Sequence, residues 1–252
     1  MTVLEATLNA VPHPILVPYI TGGVDEHWLD YVHEAVDAGA DAVEIGIPFS
    51  DPVIDGPVIQ AASVRALERG TTPDTIFRDL DRYRGSVPLV VMTYYNLVHR
   101  YGHEAFAQRL ANSGVTGVVL ADLPVEEATE WTQAADAAGV VTVLIAAPST
   151  PDDRLQHICD QSRGFVYAMG VMGVTGERAT LADSASVIAK RAKAATGKPV
   201  LVGVGVSTPE NAATLVTAAD GVIIGAPVMR RIAAGGSVAA LISEFRTALA
   251  PA

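Results

Sequence analysis

Only one of the 252 residues is cysteine, Cys159, and only three are lysine, Lys190, Lys193 and Lys198. A single thiol excludes an internal disulfide, and the simplest setting for such a chain is reducing and cytoplasmic. Cys159 lies in the helical stretch DDRLQHICD with no base beside it, so it reads as a buried structural residue. The lysines cluster before one apolar run, away from any strand end that would open onto a site. A Schiff-base aldolase or a lysine-dependent decarboxylase is thereby disfavoured. Basic residues are also few: 17 against 28 acidic ones give a net charge of −11. That balance argues against nucleic acid and against anionic membranes. A small anion remains accessible to backbone N–H groups and helix N-termini. No apolar run reaches ten residues, too short for a membrane-spanning helix. The opening MTVLEATLNAVPHP has neither the basic start nor the continuous apolar core of a secretory signal. Six histidines are present, His13, His27, His33, His99, His103 and His157. Only His99 and His103 come close together, Gly102 interrupts them and no third ligand is evident, so no metal site is expected.

What the chain does have is regular alternation. Eight short apolar runs recur: ILVPYI at 15–20, AVEIGI at 42–47, PLVVMT at 88–93, GVVLAD at 117–122, VVTVLIA at 140–146, GFVYAM at 164–169, PVLVGV at 199–204 and GVIIGA at 221–226. Near-continuous apolarity is the mark of parallel strands covered on both faces. Between them lie amphipathic stretches such as 26–39, 103–114 and 126–139, each ending in glycine. Strand and helix alternating eight times over about 250 residues predicts a (β/α)8 TIM barrel. A doubly wound sheet is the alternative. The segment AGADAVEIGIP at 38–48 is echoed by TAADGVIIGAP at 217–227, as repeated βα units would produce. No linker or low-complexity tract divides the chain, so residues 1–252 are expected to form one domain.

Barrel active sites lie at the C-terminal ends of the strands. Glu44 stands inside the second apolar run, where an unpaired carboxylate is costly. It is either a structural group satisfied by hydrogen bonds or an acid with a raised pKa, suited to proton transfer near neutrality. Asp55 follows in VIDGPV, on a loop stiffened by Pro48, Pro52 and Pro57. Asp before Gly is also ordinary turn chemistry. Taken together, the two carboxylates occupy different environments and are able to do different work. Glycine turns follow the last three runs: GVTG at 173–176, GVGVSTPE at 203–210 and GAPV at 225–228. Such turns let backbone approach a phosphate, and Ser207 or Thr208 can cap the helix that follows. The residues thus predict an enzyme acting on a phosphorylated metabolite by acid–base catalysis with carboxylates.

VEIGIPFSDPVIDGPVIQ, ADLPVEE, GVMGVTG and GVGVSTPE together resemble the tryptophan synthase alpha chain family, over a span from about residue 18 to 232. The resemblance implies retro-aldol cleavage of indole-3-glycerol phosphate to indole and glyceraldehyde 3-phosphate. Glu44 would be the acid–base residue, and Asp55 would accept a hydrogen bond from the indole N–H and offset charge on the ring. Tyr19, Met92 and Val204 would wall the indole pocket, with Tyr167 near the glycerol chain. Thr175 would belong to a closing loop, and Gly176, Gly205, Gly225 and Ala226 would cradle the phosphate. The resemblance also implies a partner, a beta chain carrying pyridoxal phosphate, in an αββα heterotetramer. Pro48, Phe49, Asp51 and Pro52 would meet that partner. This chain itself would need no cofactor. Many family members have Ser-Arg where this chain has Gly170-Val171, and Ser where it has Ala226. The alternatives are a stand-alone indole-releasing lyase and another phosphate-sugar barrel enzyme.

Overall fold

The computed structural model describes residues 2–170 and 178–250. Eight parallel strands close on themselves in sequence order: β1 Ile15–Thr21, β2 Val43–Gly46, β3 Leu89–Thr93, β4 Val115–Leu120, β5 Val141–Ala146, β6 Val166–Met169, β7 Val200–Gly203 and β8 Gly221–Ile224. The barrel is closed by β1 pairing with β8, with Ile15 opposite Gly221. Nearly every strand residue is buried, because the lumen side chains pack on one another and the outer ones under helices. Strands covered on both faces cannot alternate polar with apolar, which accounts for the continuous apolar runs.

The run read as GVVLAD ends two residues early, at Leu120, and its strand begins two residues sooner. A register shift between Leu89 and Val90 lets β4 start at Val115. Asp122 therefore lies beyond the strand, where its Oδ1 accepts a hydrogen bond from the Tyr95 N–H at 2.7 Å. PVLVGV also stops early, at Gly203, because Val204 adopts φ 62° and turns the chain out of the ladder.

The N-terminal helix Val3–Ala10 starts with a capping box, Thr2 and Glu5 each bonding the other's backbone N–H. Its Leu4 is fully buried. A Cβ added at Gly117 or Gly164 would strike the Leu4 side chain, so this helix plugs the barrel floor. Glu5 is held there by Arg163 at 2.8 Å. Lys198 belongs to the same end: its Nζ donates to the carbonyls of Cys159, Asp160 and Ser162 at 2.8, 2.9 and 2.6 Å. Lys193 pairs with Asp220 on that side too. Cys159 is buried and its thiol is free. Among the described residues no helix is long and apolar enough to cross a membrane.

Candidate active site

At the C-terminal mouth of the barrel is a cavity of about 270 Å³ lined by Tyr19, Glu44, Asp55, Met92, Tyr167, Val204, Gly205, Gly225 and Ala226. Residues read separately along the sequence thus meet in one place. Thr175 and Gly176 lie outside the described residues. The lining also includes Ser207, read in the sequence as a possible helix cap, and Ile54, Ile223 and Arg230, which the sequence did not single out. Arg230 is solvent-exposed, on the helix Ala226–Ala233 that starts at the cavity wall.

Register sets the wall that carries Glu44. Tyr19 on β1 stands opposite Glu44 on β2, and Gly46 on β2 opposite Met92 on β3. Glu44 is 1% exposed, and neither carboxyl oxygen has a hydrogen-bond partner among the described residues. A buried carboxylate with nothing to stabilise its charge takes up a proton instead. Burial, reinforced by the charge of Asp55, pushes the Glu44 pKa up to about 8. The alternative of a carboxylate satisfied by structural hydrogen bonds thus has no support in the geometry.

Asp55 is half-buried on the loop before the helix Pro57–Glu68, where Pro57 occupies the first turn and needs no N–H partner. Its own carbonyl accepts from Gln60 Nε2 at 2.8 Å. Burial raises the Asp55 pKa, while a hydrogen bond from Tyr94 works the other way. Burial is likewise the main reason that Tyr19 and Tyr167 stay protonated far into alkali.

Two glycines seat these tyrosines. A Cβ at Gly46 would fall far inside van der Waals contact distance of the Tyr19 Oη, and one at Gly203 far inside that of the Tyr167 Oη. Each tyrosine lies across the bare backbone of the next strand. Gly203→Ala is therefore expected to displace Tyr167, to cost about 1–3 kcal/mol of stability through overpacking, and to raise KM. Chemical denaturation and steady-state kinetics check both effects. An alanine variant with unchanged stability and KM would show that the tyrosine has room to spare.

The opposite wall is built from the ends of β7 and β8. Val204 is the one non-glycine residue with positive φ among the described residues, and Gly205 follows at φ 90°. A β-branched residue in the left-handed region costs of order 1–3 kcal/mol, tolerated here by the packing around it. Thr208 caps the helix Pro209–Leu215 by accepting from Asn211 N–H at 3.2 Å. The Ser207 N–H is already bonded to Asn211 Oδ1, so it is not free for a ligand. Gly225 and Ala226 open the helix Ala226–Ala233, whose first-turn N–H groups have no intrahelical acceptor.

The loop after β2 places Pro48 in the interior, Phe49 half-buried against Tyr94, and Asp51 in solvent, where it accepts from Ser50 Oγ. Pro52 is half-buried and the neighbouring Val53 is 78% exposed. His99 and His103 stand 6.0 Å apart between ring centroids, with Tyr95 Oη 2.9 Å from His103 Nε2. No group of three or more metal-ligating side chains occurs among the described residues.

As a class, a closed parallel barrel with such a cavity at its C-terminal mouth is a (β/α)8-barrel enzyme. The family model described as the tryptophan synthase alpha chain matches residues 6–247. The chain belongs to that family, whose members are lyases. It is 44% identical to the alpha chain of Methanothermobacter thermautotrophicus over 218 residues, 84% of this chain and 81% of that one. It is 43% identical to the alpha chain of Streptomyces coelicolor, over 87% of this chain and 80% of the relative. Among solved structures, Mycobacterium tuberculosis tryptophan synthase in space group F222 superposes with a TM-score of 0.91 at 33% identity, covering 100% of this chain and 99% of that one. The tryptophan synthase alpha subunit of Legionella pneumophila gives a TM-score of 0.87 at 32% identity, covering 99% and 98%.

Proposed function

We propose that this chain cleaves indole-3-glycerol phosphate with Glu44 as the acid and base and Asp55 as the partner of the ring charge. The observation that carries the reading is a fully buried carboxyl group in the wall of the cavity, unpaired among the described residues. With its pKa near 8, Glu44 is largely protonated at neutral pH and starts the cycle as an acid. It gives its proton to the indole carbon bearing the glycerol chain, which leaves positive charge on the ring nitrogen. Asp55 accepts the indole N–H and offsets that charge. The Glu44 carboxylate then takes the proton of the side-chain hydroxyl. A C=O bond forms, the C–C bond breaks, and its electrons neutralise the ring. Glu44 ends as it began, protonated, so one residue serves both transfers.

Tyr19, Met92 and Val204 supply the apolar surface for the indole, and Tyr167 the surface for the glycerol chain. The backbone at Gly205, Gly225 and Ala226 takes the phosphate, with Arg230 adding positive charge to the same cavity. Indole release from indole-3-glycerol phosphate is the direct test. A chain that binds the substrate but releases no indole would exclude the reading.

The further reading is a cytoplasmic alpha chain docked on a beta chain that carries the pyridoxal phosphate, as an αββα assembly. Indole is small and apolar and escapes when released freely, so a consumer held against the barrel mouth prevents its loss. The loop with Phe49, Asp51 and Pro52 leaves Asp51 and Val53 open to such a partner. Added beta chain is expected to raise lyase turnover. Asp51→Ala is expected to weaken that activation while leaving turnover of the isolated chain within about fivefold, since an exposed polar contact is worth on the order of 1 kcal/mol or less. Turnover measured alone and at saturating beta chain decides it. Full activation of the variant would move the docking surface elsewhere.

A further inference from the structure

Tyr94 follows directly after β3, is 4% exposed, and belongs to no motif that the sequence reading used. Its hydroxyl has two partners, both on the loop that carries Asp55. The Ile54 N–H donates to the Tyr94 Oη at 3.2 Å. The Tyr94 O–H donates to Asp55 Oδ2 at 3.2 Å. An amide N–H can only donate, so the hydroxyl must accept from Ile54, which leaves its single proton for the carboxylate. The other end of the same loop rests on the same side chain: the Phe49 ring stacks on Tyr94 with centroids 5.1 Å apart and planes at 28°. One tyrosine therefore holds a loop of another strand at both ends, through its face and through its hydroxyl.

We propose that Tyr94 is the positioning residue for Asp55, fixing where its carboxylate stands and tying it to the exposed segment between Phe49 and Ile54. This rests on the role given to Asp55 above and adds to it the group that aims it. The hydroxyl donates to Oδ2, and an ionised carboxylate oxygen accepts that bond more strongly than a protonated carboxyl does. Tyr94 thus favours the ionised carboxylate, the form that offsets ring charge. Among the described residues nothing else that faces Asp55 does so at close range: Glu44, Tyr19 and Tyr167 surround it from β2, β1 and β6, and Asp122 faces Tyr94 from beyond the end of β4. Arg230 lines the same cavity from the helix Ala226–Ala233. The geometry also gives the loop a mechanical property. Asp51 and Val53 are exposed, and they lie between the two points at which Tyr94 grips the loop. A contact that shifts them is passed to Asp55 through one rigid ring.

The experiment compares wild type, Tyr94→Phe, Asp55→Asn and the double variant, by kinetics of indole formation and by carbon-detected NMR titration of the Asp55 carboxyl. Tyr94→Phe keeps the ring on Phe49 and removes only the hydroxyl. It is expected to lower kcat about tenfold or more, as losing a hydrogen bond to a charged group does, with a smaller change in KM. The Asp55 carboxyl and the acidic limb of the rate profile are both expected to move to higher pH. In the Asp55→Asn background, Tyr94→Phe should cost little more, because its effect passes through Asp55. If Tyr94→Phe lowers the folded yield, 3-fluorotyrosine at position 94 keeps the fold and strengthens the donor, and should move the Asp55 titration to lower pH. An Asp55 titration unchanged by either replacement overturns the proposal. Near-normal turnover of Asp55→Asn overturns the role of Asp55 instead, and the titration still decides what Tyr94 does.

Discussion

Glu44→Gln is expected to lower indole release by about 10²–10⁴-fold and, in the same molecule, to make the fold more resistant to alkali. Both effects come from one fact: the carboxyl group is buried without a partner among the described residues. Glutamine has the same shape but neither gives nor takes a proton, so both transfers lose their carrier. The stability effect follows from linkage. The ordinary pKa is 4.5 and the folded one about 8, so between these values the folded chain holds a proton that the unfolded chain has lost. Stability from this group is fully present below pH 4.5 and declines as pH rises through 8. At about 1.4 kcal/mol per unit of pKa, the loss across that window is on the order of 5 kcal/mol. Glutamine does not ionise, so it carries only a pH-independent cost for its amide. The melting temperature of the variant should therefore gain on wild type between pH 5 and pH 8 and level off above that. Thermal unfolding at several pH values, beside a turnover assay, tests both halves. Near-normal turnover would remove Glu44 from the chemistry. A constant gap in melting temperature would mean that its carboxyl is solvated after all.

The carboxylate was legible in the sequence because a charge in an apolar run is costly wherever the strand ends up. The eight strands were legible for the related reason that burial on both faces leaves a continuous apolar signature. Strand ends were less so. Val204 reads as one more apolar strand residue, yet it ends β7 by turning to φ 62°, a choice made by the packing of the mouth. Tyr94 gave no signal of its own, because its two partners lie 39 and 40 residues earlier and meet it only when β2 and β3 pair. The seating of Tyr19 over Gly46 and of Tyr167 over Gly203 likewise depends on register, which no local pattern contains. The N-terminal helix had a readable start in Thr2 and Glu5, the spacing of a capping box. What it plugs is tertiary: Leu4 fits only because Gly117 and Gly164 have no side chain.

Gly225→Asp is expected to raise KM for indole-3-glycerol phosphate about 10²-fold with little change in stability. Two features of the position separate these effects. Its φ is −101°, open to any residue. A Cβ there would meet Ile59 and Tyr19 no closer than 3.6 Å, which is ordinary contact. The fold should thus accept a side chain, and Gly225→Ala serves as the control for added bulk. Aspartate then adds a negative charge at the wall proposed to face a phosphate dianion. At a separation near 5 Å and an effective dielectric of about 20, the repulsion is roughly 3 kcal/mol per unit charge. A single charge of the phosphate, the part left after screening at an open site, corresponds to about two orders of magnitude in affinity. Gly205 provides the contrast. Nothing lies within 4 Å of its added Cβ, but φ is 90°, so Gly205→Ala strains the backbone rather than crowding the ligand. It should lower the melting temperature by more than it raises KM. Because the Gly225→Asp defect is electrostatic at a partly open site, added salt should shrink it, whereas a steric defect would not respond. Titration with indolepropanol phosphate and with glycerol phosphate separates the two ends of the ligand, since both carry a phosphate on a three-carbon chain and only the first carries the indole. Equal loss for both places the phosphate at Gly225. Unchanged affinity for both would put it elsewhere in the cavity, and the charge of Arg230, on the helix that Gly225 opens, would then mark where to look.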